Sequence, residues 1–223
     1  MAAVPTALTA TEDPDAGAVY LGATVATGAG TVEWQRSENG GLTWNTLRNS
    51  SPITSGASST IDYEAPTRGV IQWRARSLES GAYSDYSDPV SLELVGGRFW
   101  LRDPRSPALN VPLNVDRDQV KRTRVRPQTE RVILGASRHR VARGKVQGYR
   151  IELPSVFVRG NAAYDAIEQL LIAPRTLQLA TGNGRTYWVA AVGDMADAEA
   201  ADAQWGINTE YELTLVFLEV APV

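Results

Sequence analysis

Apolar residues recur at every second position through several short stretches of this chain, and that period constrains the fold before any other feature does. Val19, Leu21, Ala23 and Val25 alternate with small or polar neighbours, as do Val32 and Trp34, then Ile71, Trp73 and Ala75, then Val90, Leu92 and Leu94. Successive side chains of a strand point to opposite faces, so a period of two marks a strand buried on one face. Further strands are expected around Trp44 and Leu47, after a Gly-Gly turn, and around Ile61 and Tyr63, after a Ser/Gly/Thr loop. Strands this short, at roughly ten-residue spacing with turn chemistry between them, predict a β-sandwich over residues 1–95.

The stretches VEWQRSENGGLTW (residues 32–44) and IQWRARSLESGAYSDYSDPVS (residues 71–91) carry a likeness to known modules. Residues 1–95 resemble a fibronectin type III or immunoglobulin-like module. The resemblance implies that residues 71–91 form the F strand, the F–G loop and the G strand, with Trp34, Trp73 and aliphatic side chains as the core. Within the first stretch, Ser37-Glu38-Asn39-Gly40-Gly41-Leu42-Thr43-Trp44 nearly matches the box of sialidase propellers, with Asn39 at the aspartate position. Propellers repeat that box over several blades of roughly 40–50 residues. One copy in this chain reads instead as a structural turn.

Charge is divided unevenly along the chain. Residues 1–95 hold five Arg and eleven Asp or Glu, whereas residues 96–223 hold seventeen Lys or Arg and fourteen acids. The shift coincides with Val95-Gly96-Gly97, a glycine pair expected to act as a linker, and places a second domain at residues 98–223. Residues 98–104 predict a strand ending at a proline turn, and residues 105–112 an irregular segment. Tyr149, Ile151 and Leu153 alternate in a strand expected over residues 147–158, with Pro154 at a bend or edge. Asn161 is placed to cap a helix over residues 164–172, whose apolar stripe is Tyr164, Ile167, Leu170 and Leu171 and whose end is Pro174. Strands at residues 175–181 and 186–192 flank the turn Gly182-Asn183-Gly184, and a long last strand covers residues 211–220. The fold class is therefore mainly β, a sandwich followed by a β-barrel-plus-helix domain of α+β type.

Reactive side chains are scarce. The chain has no cysteine, which excludes disulfides, thiolate catalysis and sulfur-ligated metals. The single histidine, His139, stands between Arg138 and Arg140, which disfavour its protonated form and repel a cation. Asp194, Asp197, Glu199 and Asp202 are the candidates for a carboxylate pair, but they lie in an alanine-rich segment expected to be a solvated loop or short helix. Gly182-Asn183-Gly184-Arg185 is too short to cradle a phosphate. The expectation is a chain that is not an enzyme and carries no catalytic residue, metal or cofactor. No apolar run approaches the ~20 residues that span a bilayer, and Met1 to Ala18 is not expected to be a signal peptide.

Residues 116–150 are the most basic window, with eleven Lys or Arg against three acids. Two readings arise, phosphate contacts with nucleic acid or a subunit interface with acidic neighbours. Nucleic-acid binders usually add stacking aromatics, and residues 116–148 contain none, so specific nucleic-acid binding is not expected. The interface reading names Arg117, Lys121, Arg122, Arg124, Arg126, Arg138, Arg140 and Arg143. Tyr83 and Tyr86, in a predicted sandwich loop, are the candidates for stacking on a glycan. Arginine outnumbers lysine by twenty to two, a skew that fits the coding bias of a GC-rich host.

Six stretches of the second half occur in a recognisable order: FWLRDPRSP (residues 99–107), RVILGASRHRV (131–141), YDAIEQLL (164–171), RTLQL (175–179), RTYWV (185–189) and YELTLVFLE (211–219). In that order they resemble bacteriophage distal tail proteins and actinophage minor tail proteins. The resemblance implies a tail-tube-like barrel with a helix, assembled with copies of itself into a ring, six-fold or alternatively three-fold. It implies a structural virion protein of a siphophage-type tail, made in the bacterial host cytoplasm and placed at the distal end of the tail. Its partners would be the tail tube protein, the tape measure protein and the baseplate or receptor-binding proteins. The alternative expectation is a carbohydrate-binding module protein that recognises host cell-wall glycans.

Overall fold

The computed structural model describes residues 2–26, 30–48, 51–54, 56–115, 120–125, 128–131, 140–143, 147–172, 175–192, 196–199 and 210–221. For residues 125, 128–131, 140–143, 147, 196–199 and 210 the description covers the backbone. Among the described residues the chain is mainly β, as the alternation predicts, with one α-helix. It divides into two compact units, residues 1–112 with 180–186, and residues 113–179 with 187–223.

The first unit opens with β1 (Thr6–Asp13), β2 (Ala18–Thr24), β3 (Gly30–Ser37), β4 (Asn45–Thr46), β5 (Ser51–Pro52) and β6 (Ala57–Asp62). It continues with β7 (Arg68–Glu79), β8 (Ala82–Tyr83), β9 (Val90–Val95) and β10 (Phe99–Arg102). The first nine of these form two antiparallel sheets. One has the order β1-β2-β6. The other has six strands in the order β4-β3-β7-β8, with β5 also on β3 and β9 also on β7. Both sheets feed one core, in which Val19, Leu21, Val32, Trp34, Ile71, Trp73 and Leu94 are buried. The alternation seen in the sequence is the side-chain period of these strands, with Ile71, Trp73 and Ala75 of β7 turned inward and Gln72, Arg74 and Arg76 outward.

The buried tryptophans each donate their indole N–H within this core. Trp34 Nε1 donates to Ser51 Oγ at 3.2 Å, and Trp73 Nε1 donates to Asp62 Oδ2 at 2.9 Å. Asp62 also accepts from Arg36 Nη1 at 2.8 and 3.0 Å and from the Glu64 amide at 3.0 Å. Burial alone would lower the Arg36 pKa, but the Asp62 and Glu38 carboxylates outweigh it and raise the value above the ordinary one. A buried ion pair with its remaining hydrogen bonds satisfied thus ties β6 of one sheet to β3 and β7 of the other.

Val95-Gly96-Gly97 is not a free linker. The Gly97 amide donates to Gly182 O at 3.2 Å, and Gly96, at φ +78°, would place a Cβ 2.8 Å from the same carbonyl. The division between units falls after Pro112 rather than at these glycines, and the turn at residues 180–186 belongs with the first unit. Thr67 Oγ1 donates to Thr181 O at 2.6 Å, which adds a side-chain bond to the same turn. The turn itself is closed by Gly184 N to Thr181 O at 2.9 Å and Thr181 N to Arg185 O at 2.8 Å, with Gly184 at φ +86°.

The second unit contains the greater part of β11 (Val111–Val115), then β12 (Lys121–Val125), β13 (Gln128–Arg131), β14 (Arg140–Arg143) and β15 (Gln147–Arg159). After α1 (Asn161–Ile172) come β16 (Leu177–Ala180), β17 (Thr186–Ala191), β18 (Ala196–Glu199) and β19 (Glu210–Glu219). β15 pairs with β11 and β12, and it pairs also with β19, so the sheet returns on itself as a six-stranded barrel. β13 and β14 pair with each other in a separate two-stranded sheet. The segment expected to be irregular, residues 105–112, instead forms a short 3-10 turn at Pro107–Leu109 and then enters β11.

β15 shows why a proline sits inside a long strand. Ile151 and Leu153 are buried at odd positions, whereas Val156 and Val158 are buried at even ones. The β15–β19 register shifts between Leu153 and Val156, so Pro154 and Ser155 form a bulge that returns the apolar side chains to the interior. Proline has no N–H to lose there, and its carbonyl accepts from Thr214 Oγ1 at 3.0 Å.

Of the stripe on α1, Ile167 and Leu170 are fully buried. The Asn161 side chain is used differently from a simple cap, since its Oδ1 accepts from Tyr211 OH at 2.8 Å, and the Tyr211 ring lies 4.5 Å from that of Tyr164. Pro174 lies outside the described residues. The alanine-rich segment is not a loop or helix where it is described, because residues 196–199 form β18 along one side of β19. Strand pairing accommodates Ala, Asp and Glu there because β18 is the last strand of its sheet. No helix among the described residues is long and apolar enough to cross a membrane.

Candidate functional site

The outward face of β7 carries the most organised polar cluster of the molecule's first unit. Arg74 and Arg76 project from the same face as Glu33 and Gln35 of β3, because the register pairs Gln35 with Arg74 and Glu33 with Arg76. Three aromatic rings reach the two arginines from other segments: Trp44 from the turn after β3, Tyr83 from β8, and Tyr86 beyond it.

Together they form a stack. The Arg74 guanidinium carbon lies 4.3 Å from the Trp44 ring centre and 3.9 Å from that of Tyr86. The Arg76 guanidinium lies 3.8 Å from Tyr83 and 4.7 Å from Tyr86. The order is Trp44, Arg74, Tyr86, Arg76, Tyr83, with cation and ring alternating in the geometry that favours cation–π attraction.

The two cations are neutralised differently. Arg76 Nη2 is 2.8 Å from Glu33 Oε1, and its Nε donates to that oxygen at 2.9 Å. Tyr86 OH donates to the same oxygen at 3.1 Å. Burial raises the Tyr86 pKa, and its bond to Glu33 and the Glu33 charge raise it further, while Arg76 and Arg74 oppose the shift. Arg74 has only a neutral partner by contrast, with Nε and Nη2 donating to Gln35 Oε1 at 3.0 and 2.7 Å. Among the described residues no carboxylate pairs with Arg74, and its Nη1 makes no hydrogen bond.

Tyr83 and Tyr86, the two candidates for glycan contact, are thus brought together with Arg76 between them. Tyr83 is 48% exposed, whereas Tyr86 is covered on its faces by two arginines and held by its hydroxyl. Sequence reasoning missed Trp44, Arg74 and Arg76 as parts of this group. The available signal was the outward phase of β7, which puts both arginines opposite the tyrosine loop once β3, β7 and β8 are paired.

The turn before Trp44 is structural, as its residues suggest. Ser37 Oγ accepts from Gly41 N at 2.9 Å, Asn39 Oδ1 accepts from Thr43 N at 2.9 Å, and Asn39 Nδ2 donates to Thr43 Oγ1 at 2.8 Å. Gly40 and Gly41 both have positive φ, which closes the turn and delivers Trp44 to Arg74.

The basic window is dispersed. Arg117, Arg126, Arg138 and His139 lie outside the described residues. Arg140 and Arg143 lie at the two ends of β14, and Lys121, Arg122 and Arg124 are exposed on β12. The aromatic residues absent from 116–148 in sequence are supplied in space by Tyr149 and Tyr187. Register sets Tyr149 opposite Arg124, whose Nε donates to Tyr149 OH at 3.1 Å, and Arg122 Nη1 donates to Tyr187 OH. These phenols already engage Arg122 and Arg124 within the second unit.

Of the carboxylate candidates, Asp194 and Asp202 lie outside the described residues, and Asp197 and Glu199 are backbone partners of β19 in β18. Among the described residues no group of three or more His, Asp or Glu side chains could hold a metal ion. In the first unit a cavity of about 200 Å³ is lined by Asp15, Gly17, Thr67, Arg98, Trp100 and Arg102, among others. Arg102 donates to Ala65 O at 2.8 Å and Gly17 O at 2.7 Å, and burial lowers its pKa to about 10, so it is still charged at neutral pH. No protein-family model and no curated protein matches this chain.

Proposed function

We propose that this chain is a structural virion protein, forming a ring at the distal end of a siphophage-type tail and joining the tail tube to tip and host-recognition proteins. The observation that carries the reading is the barrel closed by the β15–β19 pairing with the helix α1 after β15, the architecture that the resemblance of residues 98–223 implies. The first unit, with two sheets on one core, fits a fibronectin type III or immunoglobulin-like sandwich added to such a ring. Ring assembly needs a heterologous interface that closes, and Lys121, Arg122 and Arg124, exposed on β12, would be its basic side against an acidic neighbour. The partners would be further copies of the chain, the tail tube protein, the tape measure protein and receptor-binding proteins. The protein would be made in the host cytoplasm and carried in the virion.

Electron microscopy of the purified full chain, with antibody labelling of intact particles, tests this reading. Closed rings and label confined to the tail tip are expected. A monomer at all concentrations together with no label on the virion would end the proposal.

A second reading, recognition of host cell-wall glycans by the first unit, is favoured by one observation, the aromatic and arginine stack that ends in the exposed Tyr83. Retention of the full chain on purified cell walls, lost on Tyr83→Ala, is expected under it.

A further inference from the structure

We infer that the stack of Trp44, Arg74, Tyr86, Arg76 and Tyr83 binds an acidic saccharide, with a sugar carboxylate held by the open edge of Arg74; this rests on the glycan reading and names its ligand. Three observations lead to it. Arg74 is pre-ordered, since two rings fix its plane and Gln35 fixes its rotation about the side chain. A guanidinium held in this way loses little freedom on meeting a carboxylate, and its fork matches the two oxygens. Its charge is left over: Glu33 serves Arg76, Gln35 is neutral, and the edge bearing Nη1 has no partner among the described residues.

The third observation concerns what surrounds the charge. Aromatic side chains lie on both sides of it, and Tyr83 at the end of the stack is 48% exposed. A sugar ring has apolar C–H faces and polar edges, so one sugar of a short saccharide can lie against Tyr83 while the carboxylate of another reaches Arg74 further along the stack. Residues 1–95 carry eleven acids against five arginines. Such a surface repels a continuous polyanion, nucleic acid included, and leaves room for a saccharide whose acid groups stand apart. One unmatched guanidinium therefore selects single carboxylates on a sugar.

Isothermal titration of the full chain at low salt with a trisaccharide bearing a single terminal galacturonic acid, and with the same trisaccharide as its methyl ester, tests the inference. The acid is expected to bind about tenfold more tightly than the ester, the preference a charge-assisted pair gives. Arg74→Gln is expected to abolish that preference, and Arg74→Lys, which keeps the charge without the fork, to retain part of it. Tyr83→Ala, an exposed substitution that spares the core, is expected to weaken acid and ester equally. Equal affinity for acid and ester in the native chain overturns the acid-binding inference and leaves the glycan reading standing. Binding of neither overturns both. A full preference retained in Arg74→Gln removes Arg74 from the site.

Discussion

A single buried carboxylate holds the centre of the first unit. Asp62 is 3% exposed and accepts from Arg36, Trp73 and the Glu64 amide, so three elements depend on its charge and geometry. Asp62→Ala leaves Arg36 buried beside a void, and the expected loss is about 3–5 kcal/mol, measured by urea unfolding. Replacing both partners with apolar residues, Asp62→Leu with Arg36→Met, is expected to recover much of that loss, since the cost lies in the unpaired charge. A second residue gives a pH signature. Burial and Glu33 raise the Tyr86 pKa above its ordinary value of 10.0. A phenol raised on folding stabilises the folded state below its unfolded pKa, and that contribution is lost as pH rises through the folded value. Stability should therefore fall as pH rises from about 10 in the native chain. Tyr86→Phe should flatten that part of the profile, as read by unfolding midpoints across the alkaline range.

Elements differ in how plainly the sequence shows them, and burial explains the difference. β2, β3, β7 and β9 show a period of two because each has one face in the core and one outside it. β1, with the sequence TALTATED, is an edge strand with no fully buried side chain, and its one large apolar residue, Leu8, with Ala10 two positions on, is too little alternation to reveal it. β16 hides its period for the opposite reason, being buried at all four positions. The two-residue strands β4, β5 and β8 are too short to carry any period. The arginine stack was half legible: Tyr83 and Tyr86 stand out as loop aromatics, but their link to Arg74 and Trp44 exists only through the pairing of β3 with β7. The bulge in β15 gives a sharp test at this scale. Deleting Ser155 removes the extra residue, so plain alternation from Leu153 would keep Val156 and Val158 inward and opposite the same β19 residues. A retained cooperative unfolding transition for the second unit is expected, with the β15 and β19 amides as protected from exchange as in the native chain; loss of that protection in the deletion variant would show that the register needs more than this one extra residue.

At the scale of the whole molecule, the first unit is completed by a segment far along the chain. Residues 180–186 follow β16 in sequence yet supply Thr181 O to the buried Thr67 hydroxyl and Gly182 O to the Gly97 amide. Every member of the core cluster shared by the two sheets precedes Gly96, so those sheets keep their core without that segment. A fragment of residues 1–112 should consequently fold, with slow exchange at the amides of Trp34 and Ala75. It should nonetheless lose two hydrogen bonds, worth about 1–3 kcal/mol together. The loss should be local, since stability varies across a structure and each amide reports its own opening. Hydrogen exchange on the fragment and the full chain separates the two effects: the Gly97 amide should exchange slowly in the full chain and freely in the fragment, with Trp34 protected in both. If Gly97 stays equally protected in the fragment, the turn at 180–186 contributes nothing to the first unit, and the boundary belongs at the glycine pair after all.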